Sequence, residues 1–142
     1  MLTYKDKYAS YELSTENRII CAVVKGAIGK SFIQRYNSDF ALLMDQLGNA
    51  PWGHFADFSQ CEAMTMEAQQ ASEILHHQAK QRGCVISAFK MDSALLTSQV
   101  NTIRQNNDLP KISNQRLFAS KKEAIAYIEN FLATLSTTST SR

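Results

Sequence analysis

The residues of this chain that could do chemistry are its histidines, its cysteines and a run of acids and hydroxyls between positions 54 and 67. His54 and Asp57 are three positions apart on a predicted strand, which places them on opposite faces and disfavours a hydrolytic dyad. His76 and His77 are adjacent on a predicted helix, where successive side chains point ~100° apart, so they cannot share a metal as an i, i+4 pair does. We therefore predict no catalytic residues, no metal site and no cofactor.

The three cysteines are few, odd in number and without CxxC spacing, which is not the pattern of a disulfide framework. Cys21 and Cys84 fall in apolar, strand-like runs and are expected in the core. Cys61 falls in a polar segment and is expected to be exposed. A thiol nucleophile at Cys61, paired with a histidine across space, is the enzymatic alternative.

Composition indicates one globular domain. The chain has 142 residues, 44% of them hydrophobic and 20% charged, with a formal net charge of +2. Its basic residues are scattered, so nucleic acid is not an expected partner. No apolar run approaches the ~20 residues that span a bilayer, and the N-terminus does not resemble a signal peptide, so we expect a cytoplasmic protein that does not span a membrane.

The hydrophobic pattern predicts strands that alternate with helices after an opening hairpin. We expect helices to end at Gly48 and Gly83 and to begin at Asp92 or Ser93 and at the capping box formed by Ser120 and Glu123. The predicted strands are Tyr8–Leu13, Ile19–Val24, Trp52–Ser59, Cys84–Met91 and Asn114–Ala119. The predicted helices are Lys30–Leu47, Thr65–Arg82, one from position 92 or 93 to Asn106, and one from Ser120 to Leu135.

This order predicts an α/β fold: a mostly parallel sheet of four to five strands with an antiparallel N-terminal hairpin, covered by about four helices. Residues 1–135 form one domain, and the tail from 136 to 142 is expected to be disordered because it has no apolar residue. Trp52 follows Pro51 at the start of a strand and is expected to be partly exposed.

Several of these segments together resemble a known family. They are the hairpin that ends in a glycine, the strand WGHFADFS with Asp57 near its end, the capped helix after it, and the closing segment RLFASKKEAIAYIENFL. Over about Tyr11 to Leu132 the chain resembles the STAS fold, and within it the SpoIIAA-like group of anti-sigma factor antagonists. The resemblance implies a compact α/β module that binds or regulates rather than catalyses.

In that family an aspartate and then a phosphorylatable serine stand at the start of the helix after the third strand. Here Thr65 takes the aspartate's place and Met66 or Glu67 the serine's, so this chain departs from the pattern and has no hydroxyl at the phosphorylated position. Thr65 is either an off-register phosphate acceptor or an N-cap whose oxygen accepts a backbone N–H.

We therefore expect a non-enzymatic regulatory module that binds a protein partner. The predicted contact residues lie in the loop and helix start after the third predicted strand: Asp57, Ser59, Cys61, Thr65 and Glu67. The alternative is a small-molecule or lipid carrier that holds an apolar ligand in a cavity between the sheet and the helices. The weakly charged helix that ends near Asn106 is a candidate surface for a homodimer.

Overall fold

The computed structural model describes residues 1–113 and 116–140, with side chains as far as Leu135. In this part of the chain, strands alternate with helices after three opening strands. The strands are β1 (Leu2–Lys5), β2 (Ala9–Glu16), β3 (Ile19–Ile28), β4 (Trp52–Met64) and β5 (Cys84–Lys90). The helices are α1 (Lys30–Leu47), α2 (Met66–Gln81), α3 (Ala94–Asn106) and α4 (Lys121–Thr140).

The five strands form one mixed sheet in the order β1-β2-β3-β4-β5. The pairs β1/β2 and β2/β3 are antiparallel, whereas β3/β4 and β4/β5 are parallel. The predicted α/β class with an antiparallel N-terminal hairpin is confirmed. Because β3, β4 and β5 run the same way, α1, α2 and α3 all begin at one edge of the sheet, which we call the carboxyl edge.

Helices cover both faces of the sheet, and the two faces bury separate apolar clusters. One cluster lies under α1, α2 and α3 and includes Trp52, Phe40 and Phe89. The other lies under α4 and includes Phe55 and Ile128. The prediction that Trp52 is partly exposed is therefore wrong: its side chain is fully buried. Alternate residues of a strand point to opposite faces, so β4 sends Trp52 to the first cluster and Phe55 to the second.

Gly53 sets the packing of α4 on the sheet. A Cβ atom at this position would collide with the Ile128 side chain of α4 and would lie 3.1 Å from Cγ2 of Ile86. The missing side chain therefore allows α4 to rest directly on β4.

The sequence pattern did not predict β1. Leu2 and Tyr4 pack against the core with alternating burial, but the charges at Lys5, Asp6 and Lys7 obscure this short pattern. Asp6 makes the turn into β2, because its Oδ1 accepts the N–H groups of Tyr8 at 2.7 Å and of Ala9 at 2.8 Å.

The β2–β3 hairpin has longer strands and a shorter turn than predicted. Pairing continues to Glu16 and Ile19, which leaves Asn17 and Arg18 as the turn. Asn17 has a φ of 55°, a left-handed conformation that asparagine tolerates better than most residues. Polar residues of the predicted loop, such as Ser14, are therefore strand residues.

The end of the chain differs from the prediction in two ways. Of the predicted strand Asn114–Ala119, Asn114 and Gln115 lie outside the described residues, and the remainder makes a single parallel bridge between Leu117 and Phe89. The backbone of α4 continues to Thr140, beyond the predicted helix end at Leu135, because extending a formed helix costs little. Residues 141 and 142 lie outside the described part.

Candidate functional site

The start of α2 lies at the carboxyl edge and is fixed by two hydrogen bonds of Thr65. The Thr65 hydroxyl oxygen accepts the N–H of Ala68 at 3.1 Å, which makes Thr65 the N-cap of α2. The Thr65 N–H donates to the carbonyl of Ile28 at 3.1 Å and so attaches the helix start to the end of β3. Of the two alternatives for Thr65, the structure shows the N-cap.

Gln99 of α3 holds the same segment from the other side. Its Oε1 accepts the Met64 N–H at 2.9 Å, and its Nε2 donates to the Met64 carbonyl, also at 2.9 Å. Paired strand residues stop at Asp57 and Lys90, so the end of β4 has no β5 neighbour in the described part of the chain. Gln99 supplies the bonds that a neighbouring strand would make there. Sequence reasoning missed it, because a glutamine on a helix has no distinguishing pattern.

Asp57 and Ser59 lie together but apart from the helix start. The Asp57 Oδ1 accepts the Ser59 N–H at 3.0 Å and the Ser59 hydroxyl at 2.6 Å. Asp57 pairs with Val23, whereas Met64 pairs with Ile28. Val23 and Ile28 are five residue steps apart along β3, which corresponds to roughly 17 Å along the sheet. The structure therefore divides the predicted contact residues into two groups.

Cys61 is a correction to the predicted site. It is 8% exposed, and its thiol donates to the Val24 carbonyl at 3.0 Å. The predicted polar loop is the continuation of β4, so alternation turns Cys61 into the core. Burial raises the pKa of the Cys61 thiol to about 12, which leaves it protonated and a poor nucleophile at neutral pH. Cys84, expected in the core, is partly buried and packs against the first apolar cluster.

The carboxyl edge exposes apolar side chains beside polar ones. Met66, in the first turn of α2, is 66% exposed, and Glu67 next to it is exposed as well. Leu95, in the first turn of α3, is 61% exposed. Since α2 and α3 are neighbours and begin at the same edge, Met66 and Leu95 flank one surface.

A cavity lies at the opposite end of β4, between the sheet and the last turns of α2 and α3. Its volume is about 90 Å³, and its lining includes Phe40, His54, Leu75, His76, Arg104 and Arg116. An apolar cavity of about 40 Å³ adjoins it and shares His54, Leu75 and His76. This is the region between sheet and helices where the alternative hypothesis expected a ligand.

Two neutral histidines line this cavity. Burial lowers the pKa of His54 to about 3, with further lowering by His76 and Arg104. Burial also lowers the pKa of His76 to about 4, and its Nδ1 lies 2.9 Å from the Ser72 carbonyl. A carbonyl can only accept, so Nδ1 holds the proton. The buried Nε2 of His54 has no hydrogen-bond partner in the part of the chain that the structure describes.

Arg104 is a buried cation in the cavity wall. It is 2% exposed, its Nε donates to the Pro110 carbonyl at 2.8 Å, and its guanidinium lies 5.4 Å from the centre of the Phe89 ring. Burial, together with repulsion from Arg116, lowers its pKa to about 10, so it stays charged at neutral pH. A signal existed in the sequence: Arg104 follows Leu96 and Val100 at helical spacing, on the apolar face of α3.

Neither site has the composition of a metal centre. Within residues 1–113 and 116–140, no three His, Cys, Asp or Glu side chains are grouped so that they could hold a metal ion. His76 points inward whereas His77 is exposed, as their adjacency predicted. None of the described helices is both long enough and apolar enough to cross a bilayer.

Comparison with known proteins gives structural matches alone. No family model matches the sequence, and neither does any curated protein. An anti-sigma factor antagonist from Mycobacterium paratuberculosis matches with a TM-score of 0.58 and 10% identity, over 85% of this chain and 94% of that one.

Two further solved structures have the same architecture. An uncharacterised DUF3478-family protein with a SpoIIAA-like fold, from Shewanella loihica PV-4, matches with a TM-score of 0.63 and 8% identity, over 88% of this chain and 98% of that one. Part of SLC26A9 matches with a TM-score of 0.55 and 11% identity, over 80% of this chain and 20% of that one. The arrangement of strands and helices is thus shared although the sequences are not, and the chain has the SpoIIAA-like STAS fold.

Proposed function

We propose that this chain is a non-enzymatic regulatory module of the cytoplasm that binds a protein partner at its carboxyl edge. The proposed contact surface consists of Asp57, Ser59, Thr65, Met66 and Glu67, without the buried Cys61. One solved structure of the same fold is an anti-sigma factor antagonist, a protein that acts by regulating another protein. That likeness supports the regulatory class, and the exposed side chains of Thr65, Met66 and Glu67 support the location.

The exposed side chain of Met66 is the observation on which the location depends. A partner that covers Met66 would remove this apolar side chain from water, which is favourable. Met66 is surrounded by polar neighbours, with Thr65 before it and Glu67 after it. An apolar centre with a polar rim is the usual composition of a protein interface, and methionine adapts well to a partner's shape.

The distance between the two groups of proposed contact residues is compatible with one interface. A standard interface buries ~800 Å² on each partner, which corresponds to a patch ~30 Å across. The separation of roughly 17 Å between Asp57 and the end of β4 lies within such a patch. Leu95 lies on the same edge and extends the apolar part of the surface toward α3.

Changing the start of α2 is expected to abolish partner capture and to leave the fold intact. We expect Met66→Ser and Glu67→Arg each to reduce capture about tenfold or more, as hot-spot substitutions do. Glu67→Arg also removes a favourable charge from a helix N-terminus, at a cost of ~0.3–1 kcal/mol, so the melting temperature falls only slightly. The measurement is native mass spectrometry of the tagged chain captured from a lysate of its source organism.

The matched controls are Leu42→Ser and Glu12→Arg. Leu42 is an exposed apolar residue of α1, and Glu12 is an exposed acid of β2, and neither belongs to the proposed surface. We expect both to capture the partner like the unsubstituted chain. Equal capture by the Met66 and Glu67 variants, or equal loss in the controls, would remove this surface from consideration. The same spectrum reports copy number and therefore also tests the predicted homodimer.

A small-ligand carrier is the second candidate, and the cavity beside His54 favours it. Ligand pockets for drug-sized molecules have volumes of ~300–1,000 Å³. The cavity here measures about 90 Å³ and the adjoining one about 40 Å³. This candidate therefore concerns a molecule of a few heavy atoms rather than a lipid. A small added mass on the captured chain, without a protein partner, would favour it.

A further inference from the structure

The cavity between α2, α3 and the starts of β4 and β5 has an uncompensated positive charge. Arg104 and Arg116 both line it, and neither has a carboxylate within ion-pair distance among the described residues. The cavity lining includes no Asp or Glu in that part of the chain. A buried charge without a counterion is costly, and proteins normally pair it or use it to hold a ligand.

The donors of Arg104 are only partly used. Its Nε donates to the Pro110 carbonyl, and this is the one hydrogen bond that the described structure gives to its guanidinium. The cation–π contact with Phe89 and the burial of the side chain, which is 2% exposed, hold the guanidinium in place. A planar guanidinium held in this way presents its remaining N–H groups as a rigid fork, the geometry that matches a carboxylate.

Arg116 and His54 supply further polar groups. Nη1 of Arg116 lies 3.4 Å from the Ser87 carbonyl, a long bond that a stronger acceptor would replace. The buried Nε2 of His54 is unpartnered within the described residues and belongs to a side chain of the cavity wall. An unpaired buried ring nitrogen is destabilising unless a ligand or a water molecule satisfies it.

Part of the cavity wall is apolar. Phe40, Leu75 and Ala79 line the same cavity as the two arginines. Such a wall favours a ligand with a short hydrocarbon part over an inorganic oxyanion, which would lose hydration there without compensation. The volume of about 90 Å³ limits the ligand to a few carbon atoms.

We propose that this cavity binds a small organic carboxylate, with its carboxylate on Arg104 and Arg116 and its hydrocarbon part against Phe40, Leu75 and Ala79. The inference deepens the carrier candidate and rests on it. It is independent of the partner surface, because the cavity lies at the other end of β4. A failure here therefore leaves the partner proposal standing, and the reverse also holds.

Butyrate is the probe, and butyramide, which has the same shape without the charge, is the matched ligand control. We expect butyrate to shift the ¹⁵N–¹H resonance of the Arg104 Nε group and to bind saturably in calorimetry. Butyramide and inorganic phosphate are expected to bind at least about tenfold more weakly than butyrate. Butyramide lacks the negative charge, and phosphate lacks the hydrocarbon part. Equal binding of butyramide or phosphate would overturn the proposal.

Two variants test the residues, and one controls for general charge. Arg104→Met keeps the bulk and removes the charge, and Arg116→Gln removes the charge of a residue that is only partly buried. We expect each to weaken butyrate binding about tenfold, the loss of a charge-assisted hydrogen bond. Arg35→Met removes an exposed cation of α1 and is expected to change nothing. Unchanged binding in Arg116→Gln, or in a folded Arg104→Met, would overturn the proposal.

Discussion

Trp52→Ala is expected to lower the free energy of unfolding by about 3–5 kcal/mol, the range for truncating a large buried aromatic side chain. Trp52 is 0% exposed, and its ring centre lies 6.1 Å from that of Phe40. Its Nε1 donates to the Arg82 carbonyl at 2.9 Å, which connects the start of β4 to the end of α2. The substitution removes both the packing and this connection.

The measurement is urea unfolding followed by far-UV circular dichroism, because Trp52 is the only tryptophan and its variants have lost the fluorescent reporter. Trp52→Phe is the matched control, since it keeps an aromatic ring and removes the indole N–H. We expect Trp52→Phe to lower the free energy of unfolding less than Trp52→Ala does. About 1–3 kcal/mol of the decrease in Trp52→Phe is expected to come from the Arg82 carbonyl, which loses its donor. A loss below about 1 kcal/mol in Trp52→Ala would contradict the buried position.

Acidification from pH 7 to pH 5 is expected to destabilise the fold through His54 and His76. Their pKa values are lowered to about 3 and about 4 by burial, against ~6.5 in an unfolded chain. At a pH between the folded and the unfolded pKa values, the unfolded chain binds protons that the folded chain does not. The free energy of unfolding is therefore highest above pH ~6.5 and falls as the pH drops below it. Between pH 7 and pH 5 each histidine lowers the free energy of unfolding by about 1–2 kcal/mol.

The charged groups around these rings do not reverse the sign. Arg104 repels a proton from both rings. The hydrogen bond to the Ser72 carbonyl and the charge of Glu73 favour protonation of His76, but burial outweighs both. The measurement is urea unfolding at pH 7 and pH 5 for His54→Phe and His76→Gln, with the exposed His77→Gln as control. We expect the first two to lose part of the pH dependence and the control to keep it. An identical pH dependence in all four proteins would contradict neutral buried histidines.

The helices of this fold could be predicted from sequence because each has a periodic apolar face and a recognisable start or stop. The helix Lys30–Leu47 has the predicted bounds, and Ser93 and Ser120 cap the helices that follow them. The strands were harder to predict from the sequence. β4 continues through Gln60 and Glu62, whose polarity imitates a loop, so both its length and the burial of Cys61 were missed.

The two sites differ in how much the sequence showed. Thr65 and Glu67 were predicted at a helix start, and that position is confirmed by the bounds and cap of α2. The cavity depends on residues from α2, α3, β4 and β5, and distances between separate elements have no signature in a single sequence. The sequence did show one feature of the cavity, which is Arg104, a charged residue on an apolar helix face.

Photo-crosslinking inside cells of the source organism tests the partner surface most directly. A photoreactive phenylalanine analogue is placed at position 66 and, in a matched experiment, at position 42, both of which are exposed apolar positions on helices. The proposal predicts one covalent adduct with a single protein from position 66 and none from position 42. No adduct from position 66, or the same adducts from both positions, would contradict partner binding at the carboxyl edge.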